Sequence, residues 1–273
     1  MSSESAVRFR SLDGVELVGS LTVPDTTPSL GVVQVHGGGV DRHEAGFFDR
    51  MAAGLAEVGV AALRFDVRGH GESGGVQEEL TLASVLNDIH CALELLREET
   101  GVERTSLIGQ SFGGGICGYY AAKRPDEIGR LVMLCPQLDY KQRTIDSRPY
   151  WQGDHLTDEK ARELTEQGYI QHSPTFRHGR AIYNELFWLQ PDTVLSEIQA
   201  PTLIVHGTRD TLVPIDTSLD AMSRLNATSR LKKIKGAQHG FAVDGDPTYL
   251  DPQSQTWQAQ VITAVAGWVT SRE

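Results

Sequence analysis

Several features are scarce in this 273-residue sequence, and each scarcity excludes a class of protein. The three cysteines, Cys91, Cys117 and Cys135, all lie in apolar segments without paired or metal-type spacing, so we expect buried free thiols rather than disulfides. No apolar run approaches the roughly 20 residues of a membrane-spanning helix, and the polar segment 1–11 holds no apolar stretch of signal-peptide length. We therefore expect neither a membrane span nor a cleaved leader.

Positive charge is also scarce. The chain has 25 Lys and Arg residues against 36 Asp and Glu residues, which gives a net charge of −11 and a pI of about 5.3. This balance argues against nucleic acid and anionic membrane surfaces as partners, and it suits a cytoplasmic protein. The sequence has no strand–G-x-G-x-x-G–helix unit and no Cys, His and carboxylate cluster with metal-ligand spacing, so it predicts no cofactor and no metal.

What the sequence does contain is an alternation of strand and helix patterns. It begins with an antiparallel hairpin that turns at Asp13-Gly14. Apolar strands then alternate with helices whose apolar residues recur at helical spacing. The predicted segments are strands at 7–10, 15–23, 31–36, 60–66, 131–135, 201–206 and 230–234, and helices at 47–58, 82–99, 216–225 and 253–269. This order predicts an α/β fold with a mostly parallel sheet of about eight strands and helices on both faces.

The alternation stops between residues 136 and 196, where aromatic residues gather. A stretch of this kind between two sheet strands is typical of an insertion. We expect it to lie above the carboxyl ends of the strands, where α/β sheets bind ligands. The predicted organisation is therefore a core made of residues 1–135 and 197–273 and a cap made of residues 136–196.

A G-x-S-x-G motif at Gly109–Gly113 lies between a strand pattern and a helix pattern. A serine on such a sharp strand-to-helix turn has strained backbone angles, and the crowded neighbours on each side must lack a Cβ. The turn would present the Ser111 hydroxyl above the sheet edge, at the N-terminus of a helix whose dipole favours developing negative charge. The motif therefore indicates that Ser111 is a catalytic nucleophile.

A serine nucleophile needs a base, and the base needs an orienting group. In this arrangement the acid and then the histidine follow the serine in the chain, each in a loop after a strand. Asp210 and His239 occupy those places and are the predicted partners of Ser111. Asp139 is a rival for the acid. The structural alternative for Asp210 is a loop carboxylate that caps the next helix. The structural alternative for His239 is a solvated loop histidine.

Backbone amides are expected to stabilise the oxyanion of the tetrahedral intermediate. The amide of Phe112 is one predicted donor, and the glycine-rich loop after the strand 31–36 supplies the second, with Gly38 favoured and Gly37 next. Beside this loop, segment 41–44 either lines the pocket or starts a helix. The charged loop 66–73 is expected to be satisfied by hydrogen bonds through Asp66 and Arg68 rather than to bind metal or phosphate. Four cap aromatics are predicted either to form an apolar substrate roof or to pack as a small satellite core: Tyr140, Trp151, Phe187 and Trp188.

With these pieces placed, the chain resembles the α/β-hydrolase superfamily along nearly its whole length. Within it, the chain is similar to small bacterial cinnamoyl or feruloyl esterases and monoacylglycerol lipases, which carry a cap between the sixth and seventh strands. The oxyanion loop differs: this chain has three glycines, Gly37–Gly39, after His36, whereas cinnamoyl esterases usually have a bulkier residue after His-Gly. The resemblance rests on His36–Gly39, Phe65–Ser73, Gly109–Gly114, His206–Asp210 and Gln238–Phe241.

The resemblance implies a serine esterase that cleaves a small-molecule carboxylic ester through an acyl-enzyme. A thioesterase or cyclising acyltransferase would use the same acyl-enzyme chemistry on a thioester. A ligand-binding protein with little or no turnover is a third hypothesis, although a pure binder has no need of a full triad. A serine nucleophile disfavours haloalkane dehalogenases and epoxide hydrolases, which use Asp, and dienelactone hydrolases, which use Cys. The sequence leaves a homodimer open.

Overall fold

The protein is described here by a computed structural model that covers residues 2–271. Its centre is an eight-stranded sheet in the order β1-β2-β4-β3-β5-β6-β11-β12. Pairs β1/β2 and β2/β4 are antiparallel and the other pairs are parallel. The strands are β1 (Ser3–Arg10), β2 (Glu16–Val23), β3 (Leu30–Val35), β4 (Val60–Phe65), β5 (Arg104–Gln110), β6 (Arg130–Leu134), β11 (Thr202–Gly207) and β12 (Ser229–Ile234). The predicted α/β class is therefore confirmed.

Helices cover both faces of this sheet because its strands are apolar on both sides. In β6, Leu131 and Met133 join the core on one face of the sheet, whereas Val132 and Leu134 join the core on the other face. The helices on the two faces of the sheet are α1 (Phe47–Glu57), α2 (Leu82–Thr100), α3 (Phe112–Lys123), α6 (Asp216–Arg224) and α7 (Pro252–Thr270). None of the helices within residues 2–271 combines the length and the apolar character that a membrane span requires.

Local sequence signals fix several of these elements. The turn between β1 and β2 contains Gly14 at φ 87°, a left-handed conformation that glycine adopts without strain. Helix α2 begins with a capping box, in which the Thr81 hydroxyl accepts from the Ser84 amide and the Ser84 hydroxyl accepts from the Thr81 amide. It ends at Gly101, which is also left-handed.

Between β6 and β11 the chain leaves the sheet and forms small elements of its own. They are β7 (Trp151–Gln152), β8 (His155–Leu156), α4 (Asp158–Gln167), β9 (Tyr169–Ser173), β10 (Phe176–Gly179) and α5 (Arg180–Glu185). The two strand pairs are antiparallel hairpins, so they lack the strand–helix rhythm of the sheet. We refer to residues 136–196 as the cap.

The cap is attached to the core through the loop before α2. Gly179 lies so close to this loop that a Cβ would be 1.8 Å from the Glu78 carbonyl oxygen. Arg177 forms an ion pair with Glu78 at 2.8 Å. The Glu185 carboxylate accepts a hydrogen bond from the Leu82 amide at the start of α2. These contacts hold hairpin β9–β10 and α5 against the loop that precedes α2 and against the start of that helix.

Candidate active site

Ser111 lies at a strained turn between β5 and α3. Its backbone has φ 51° and ψ −116°, and a non-glycine residue with positive φ is held there only when its surroundings impose it. The Ser111 amide donates to the Leu134 carbonyl at 2.9 Å, and its carbonyl accepts from the Gln137 amide at 2.9 Å. The end of β6 and the start of the cap therefore hold this conformation.

The two glycines of the motif are required by close backbone contacts. A Cβ on Gly109 would lie 2.2 Å from the Gly113 carbonyl oxygen. A Cβ on Gly113 would lie 2.4 Å from the carbonyl oxygens of Val35 and His36. No side chain fits at these distances, so the crossing of α3 over the end of β3 depends on both glycines.

His239 and Asp210 form a close pair at the ends of β12 and β11. His239 Nδ1 lies 2.7 Å from Asp210 Oδ2. The other oxygen, Asp210 Oδ1, accepts from the Leu212 and Val213 amides at 2.9 and 2.8 Å. The Asp210 side chain is fully buried, whereas that of His239 is 20% exposed. A fixed carboxylate therefore orients an imidazole that still reaches solvent.

A second histidine, His206, also contacts this carboxylate, and the sequence analysis predicted no separate role for it. His206 Nε2 lies 3.3 Å from Asp210 Oδ2, and its Nδ1 lies 2.7 Å from the Ser218 hydroxyl. Burial alone would raise the pKa of Asp210, but the hydrogen bonds with His206, His239 and the Val213 amide hold that pKa below its usual range. Asp210 is therefore ionised at neutral pH.

The glycine loop after β3 is held by three hydrogen bonds that leave one amide free. The Gly37 amide donates to Glu44 Oε1 at 2.6 Å, and the Gly37 carbonyl lies 2.7 Å from His36 Nδ1. The Gly39 amide donates to His70 Nε2 at 3.1 Å. The Gly38 amide has no acceptor within residues 2–271. Gly38 thus remains available to a ligand, whereas the Gly37 amide is already occupied.

Glu44 is a residue of this site whose contacts the sequence did not indicate. It is 3% exposed, and its Oε2 accepts from the Gln110 side-chain amide at 3.0 Å. A Cβ on Gly37 would lie 3.3 Å from Glu44 Oε1 and 3.6 Å from Ser111 Cβ, so this carboxyl group lies beside the turn that carries Ser111. Burial raises the pKa of Glu44 to about 7.

A cavity of about 140 Å³ opens between the core and the cap. In size it is comparable to cavities that accept one benzene ring. Its walls include Ser111, Gly38 and Phe112 from the core and Tyr140 and Phe176 from the cap. The Tyr140 hydroxyl donates to the Phe112 carbonyl at 2.6 Å, which fixes the ring over the start of α3. Four predicted site residues, Ser111, Gly38, Phe112 and Tyr140, therefore line this cavity, whereas Asp210 and His239 do not contribute to its wall.

The other cap aromatics lie away from this cavity. Trp151 packs against Tyr183 and Phe187, with ring centroids 5.5 and 6.0 Å apart. Trp188 is 82% exposed. Neither these predicted substrate contacts (Trp151, Phe187 and Trp188) nor Gly37 contributes to the cavity wall. The packing of Trp151 and Phe187 corresponds to the satellite-core alternative, because the cap must bury its own apolar surface.

The charged side chains of loop 66–73 are paired with groups inside the loop and in neighbouring segments. Asp66 accepts from the amides of Arg42 and Glu72 at 2.7 and 2.9 Å. Arg68 pairs with Asp88 and Asp13, each at 2.6 Å. Segment 41–44 forms a turn that leads to α1 at Phe47 and also delivers Glu44 to the site.

Within residues 2–271, Cys135, Asp210 and His239 are the one set of potential metal ligands with atoms within 4.8 Å of one another. Burial, with Asp210 nearby, raises the pKa of the Cys135 thiol well above its usual value, and a thiol binds metal poorly unless it is ionised. His239 Nδ1 is already paired with Asp210. This donor set therefore does not fit a metal ion.

Comparisons with known proteins agree with this architecture. A monoacylglycerol lipase from Mycolicibacterium smegmatis is 25% identical over 99% of this chain and 98% of its own length. The human mitochondrial palmitoyl-protein thioesterase ABHD10 is 24% identical over 63% of this chain and 54% of its own length. Among solved structures, ferulic acid-bound Est1E from Butyrivibrio proteoclasticus has a TM-score of 0.75 at 22% identity, covering 95% of this chain and 99% of that one.

The family model described as "serine aminopeptidase, S33" matches residues 26–246, which is most of the chain. The matched segment contains β3 to β6, the turn at Ser111, the cap, Asp210 and His239. The chain therefore belongs to this family of α/β-hydrolases and is a serine hydrolase.

Proposed function

We propose that Ser111, His239 and Asp210 act as a catalytic triad that hydrolyses a small-molecule carboxylic ester. The observation that carries this proposal is the 2.7 Å pair between His239 Nδ1 and the buried carboxylate of Asp210, in a site where Ser111 lines a cavity on a strained turn. An imidazole oriented through Nδ1 presents Nε2 as the base.

In the first half-reaction, Ser111 Oγ attacks the ester carbonyl carbon while His239 Nε2 takes the hydroxyl proton. The C–O bond to the alcohol then breaks, and His239 gives that proton to the departing oxygen. A water molecule repeats the sequence on the acyl-enzyme and releases the acid. Asp210 stays ionised throughout and stabilises the imidazolium.

The oxyanion of each tetrahedral intermediate would be held by the Gly38 and Phe112 amides. Phe112 is the first residue of α3, so its amide precedes the first hydrogen bond within the helix. The Gly38 amide is unoccupied within the described chain, as noted above. Two fixed donors of this kind stabilise negative charge without reorganisation.

An ester fits this cavity better than the peptide N-terminus that the family's description suggests. An aminopeptidase must bind a free α-ammonium group, and a carboxylate is the usual partner for such a cation. No Asp or Glu contributes to the cavity wall among residues 2–271, whereas Arg143 does. The cavity is thus electrostatically unsuited to a cationic substrate end.

A panel of 4-nitrophenyl acyl esters, methyl ferulate, an aminoacyl 4-nitroanilide and an acyl thioester tests the proposal on wild type and on Ser111→Ala. We expect release from oxygen esters that is lost in the variant. Cleavage of the anilide alone would overturn the ester assignment, and undiminished turnover by Ser111→Ala would overturn the nucleophile. A clear preference for the thioester would favour the thioesterase or acyltransferase alternative, which the ABHD10 likeness motivates.

The proposal also covers the role of the cap, the cellular location and the oligomeric state. Residues 136–196 act as the cap that shapes the substrate cavity, with Tyr140 as a substrate contact. The protein works in the cytoplasm on small molecules. A homodimer through the exposed sheet edge or the cap is left to a direct measurement of mass in solution.

A further inference from the structure

The cap wall of the cavity carries a cationic group that lacks a counter-ion. Arg143 lies in the π-helical turn Gln142–Asp146 and lines the cavity. Within residues 2–271 its guanidinium has no hydrogen bond and no ion pair. The arginines buried in the core differ: Arg64 pairs with Glu4 and Asp49, and Arg68 pairs with Asp13 and Asp88.

A second arginine lies close enough to influence the first. Burial and the positive charge of Arg148 both lower the pKa of Arg143, while the charge of Asp210 opposes them. Asp210 is already engaged by His239 and by two backbone amides. Two guanidinium groups thus share a half-buried region with no carboxylate of their own, which is unfavourable until an anion arrives.

A pair of stacked histidines adds neutral hydrogen-bond donors to the same wall. The rings of His172 and His178 lie 4.2 Å apart and nearly parallel, and both line the cavity. His178 is 3% exposed, yet neither of its ring nitrogens has a partner in the described part of the chain. A buried polar group without a partner is destabilising, so a ligand that pairs with His178 relieves that cost.

The hydrogen on His172 can be placed from its contact with Arg148. Arg148 Nη2 lies 3.4 Å from His172 Nδ1, so Nδ1 accepts and Nε2 carries the hydrogen. Burial and the charges of Arg148 and Arg143 lower the pKa of His172 to about 4. Both rings are therefore neutral at pH 7, and the positive charge of this wall comes from the two arginines.

These observations together define the ligand chemistry. We propose, on the basis of the ester hydrolysis proposed above, that the substrate is an ester with a second, ionised carboxylate, which binds Arg143 and the stacked pair His172–His178. A guanidinium binds a carboxylate with two parallel hydrogen bonds. In a chain with a net charge of −11, this wall is a local positive region that attracts such an anion.

The carboxylate can belong to the acyl part or to the alcohol part of the ester, and two matched substrate pairs separate these sources. Mono-4-nitrophenyl glutarate against 4-nitrophenyl hexanoate tests the acyl side. 4-Acetoxybenzoate against 4-methylphenyl acetate tests the alcohol side. After subtraction of spontaneous hydrolysis, we expect kcat/KM to favour the charged member of one pair by about 10-fold or more, the size expected for one charge-assisted hydrogen bond.

Variants at Arg143 test whether the preference for the charged substrate depends on this side chain. We expect Arg143→Met to reduce the charged-to-uncharged ratio of kcat/KM to about 1, mainly through KM, and Arg143→Lys to keep part of it. Arg162→Met, which removes an exposed cap arginine on α4, should leave the ratio unchanged. A wild-type ratio at or below 1 for both pairs, or an unchanged ratio in Arg143→Met, would overturn the proposal.

Failure of the proposed function gives a different result from failure of this inference. If Ser111-dependent hydrolysis of uncharged esters occurs without a carboxylate preference, only the inference fails. If no ester is cleaved, calorimetry with glutaric acid monoanilide, an uncleaved carboxylate analogue, still tests the anion site. Binding to wild type that Arg143→Met weakens by about 10-fold supports the site, and equal or absent binding in both proteins contradicts it.

Discussion

The core beneath the cavity and the cap above it differ in how they treat several of their polar side chains. On the core side, Asp210, His36 and Glu44 are buried with hydrogen-bond partners supplied by the fold. On the cap side, Arg143 and His178 lack such partners among residues 2–271. A satisfied network is rigid and gives fixed geometry, whereas unsatisfied groups gain most from a ligand. The core is therefore suited to the chemical step, and the cap to substrate selection.

The largest expected effect comes from disturbing the core side. Asp210→Asn should reduce kcat by about 10⁴-fold, because the amide cannot hold His239 with its hydrogen on Nδ1 or stabilise the imidazolium. Steady-state kinetics on an uncharged 4-nitrophenyl ester measures this change. Asp244→Asn, at an exposed position five residues after His239, is the matched control and should keep wild-type kinetics. A loss below about 10-fold in Asp210→Asn would contradict the orienting role.

A smaller effect is expected from the buried carboxyl group that ties the oxyanion loop to the end of β5. The pKa of Glu44 is raised from 4.5 to about 7 in the folded protein. Between these values the folded state binds more protons than the unfolded state, so the free energy of unfolding falls as pH rises through this window. At about 1.4 kcal/mol per pKa unit, this fall is at most about 3–4 kcal/mol.

Urea unfolding at pH 5 and pH 8 tests this sign. Relative to wild type, Glu44→Gln should lose less stability between the two pH values, because its amide does not titrate. Glu57→Gln, which changes an exposed carboxylate on α1, should behave as wild type. If Glu44→Gln and wild type lose the same amount, Glu44 does not hold a proton in the folded state.

On the cap side, one aromatic residue that lines the cavity can be compared with one that is exposed to solvent. Phe176 covers the oxyanion loop, since a Cβ on Gly38 would lie 2.6 Å from its ring. Phe176→Ala should raise KM for uncharged esters by about 10-fold, because part of the apolar wall is lost. Trp188→Ala, at an 82% exposed position, should leave KM unchanged. Equal effects of the two substitutions would argue against the cavity as the substrate site.

The sequence anticipated the core well because its signals are local. Apolar periodicity predicted the helices and strands, and the G-x-S-x-G motif predicted the turn at Ser111, since both depend on neighbours in the chain. Gly38 was preferred to Gly37 only by position. In the structure the Gly37 amide donates to Glu44, a contact that the sequence did not indicate, and the role of Gly38 stays a prediction.

The features that the sequence did not reveal depend on contacts between distant residues. Glu44 forms a hydrogen bond with Gln110, 66 positions away in the chain, and no periodic pattern in the sequence predicts a contact over that separation. Arg143 and His178 lie in the aperiodic cap, where exposed and buried positions follow no pattern. The aromatic residues Trp151 and Trp188 showed only that the cap has apolar surface, not which part of it faces the cavity.

Labelling with a fluorophosphonate, followed by peptide mapping, tests the central claim most directly. This reagent reports an activated serine without requiring the correct substrate, so it separates the catalytic machinery from substrate choice. We predict a single adduct on Ser111 in the wild type, and a labelling rate in His239→Ala that is lower by about 10³-fold or more. An unlabelled Ser111, or equal labelling rates in both proteins, would contradict the proposed triad.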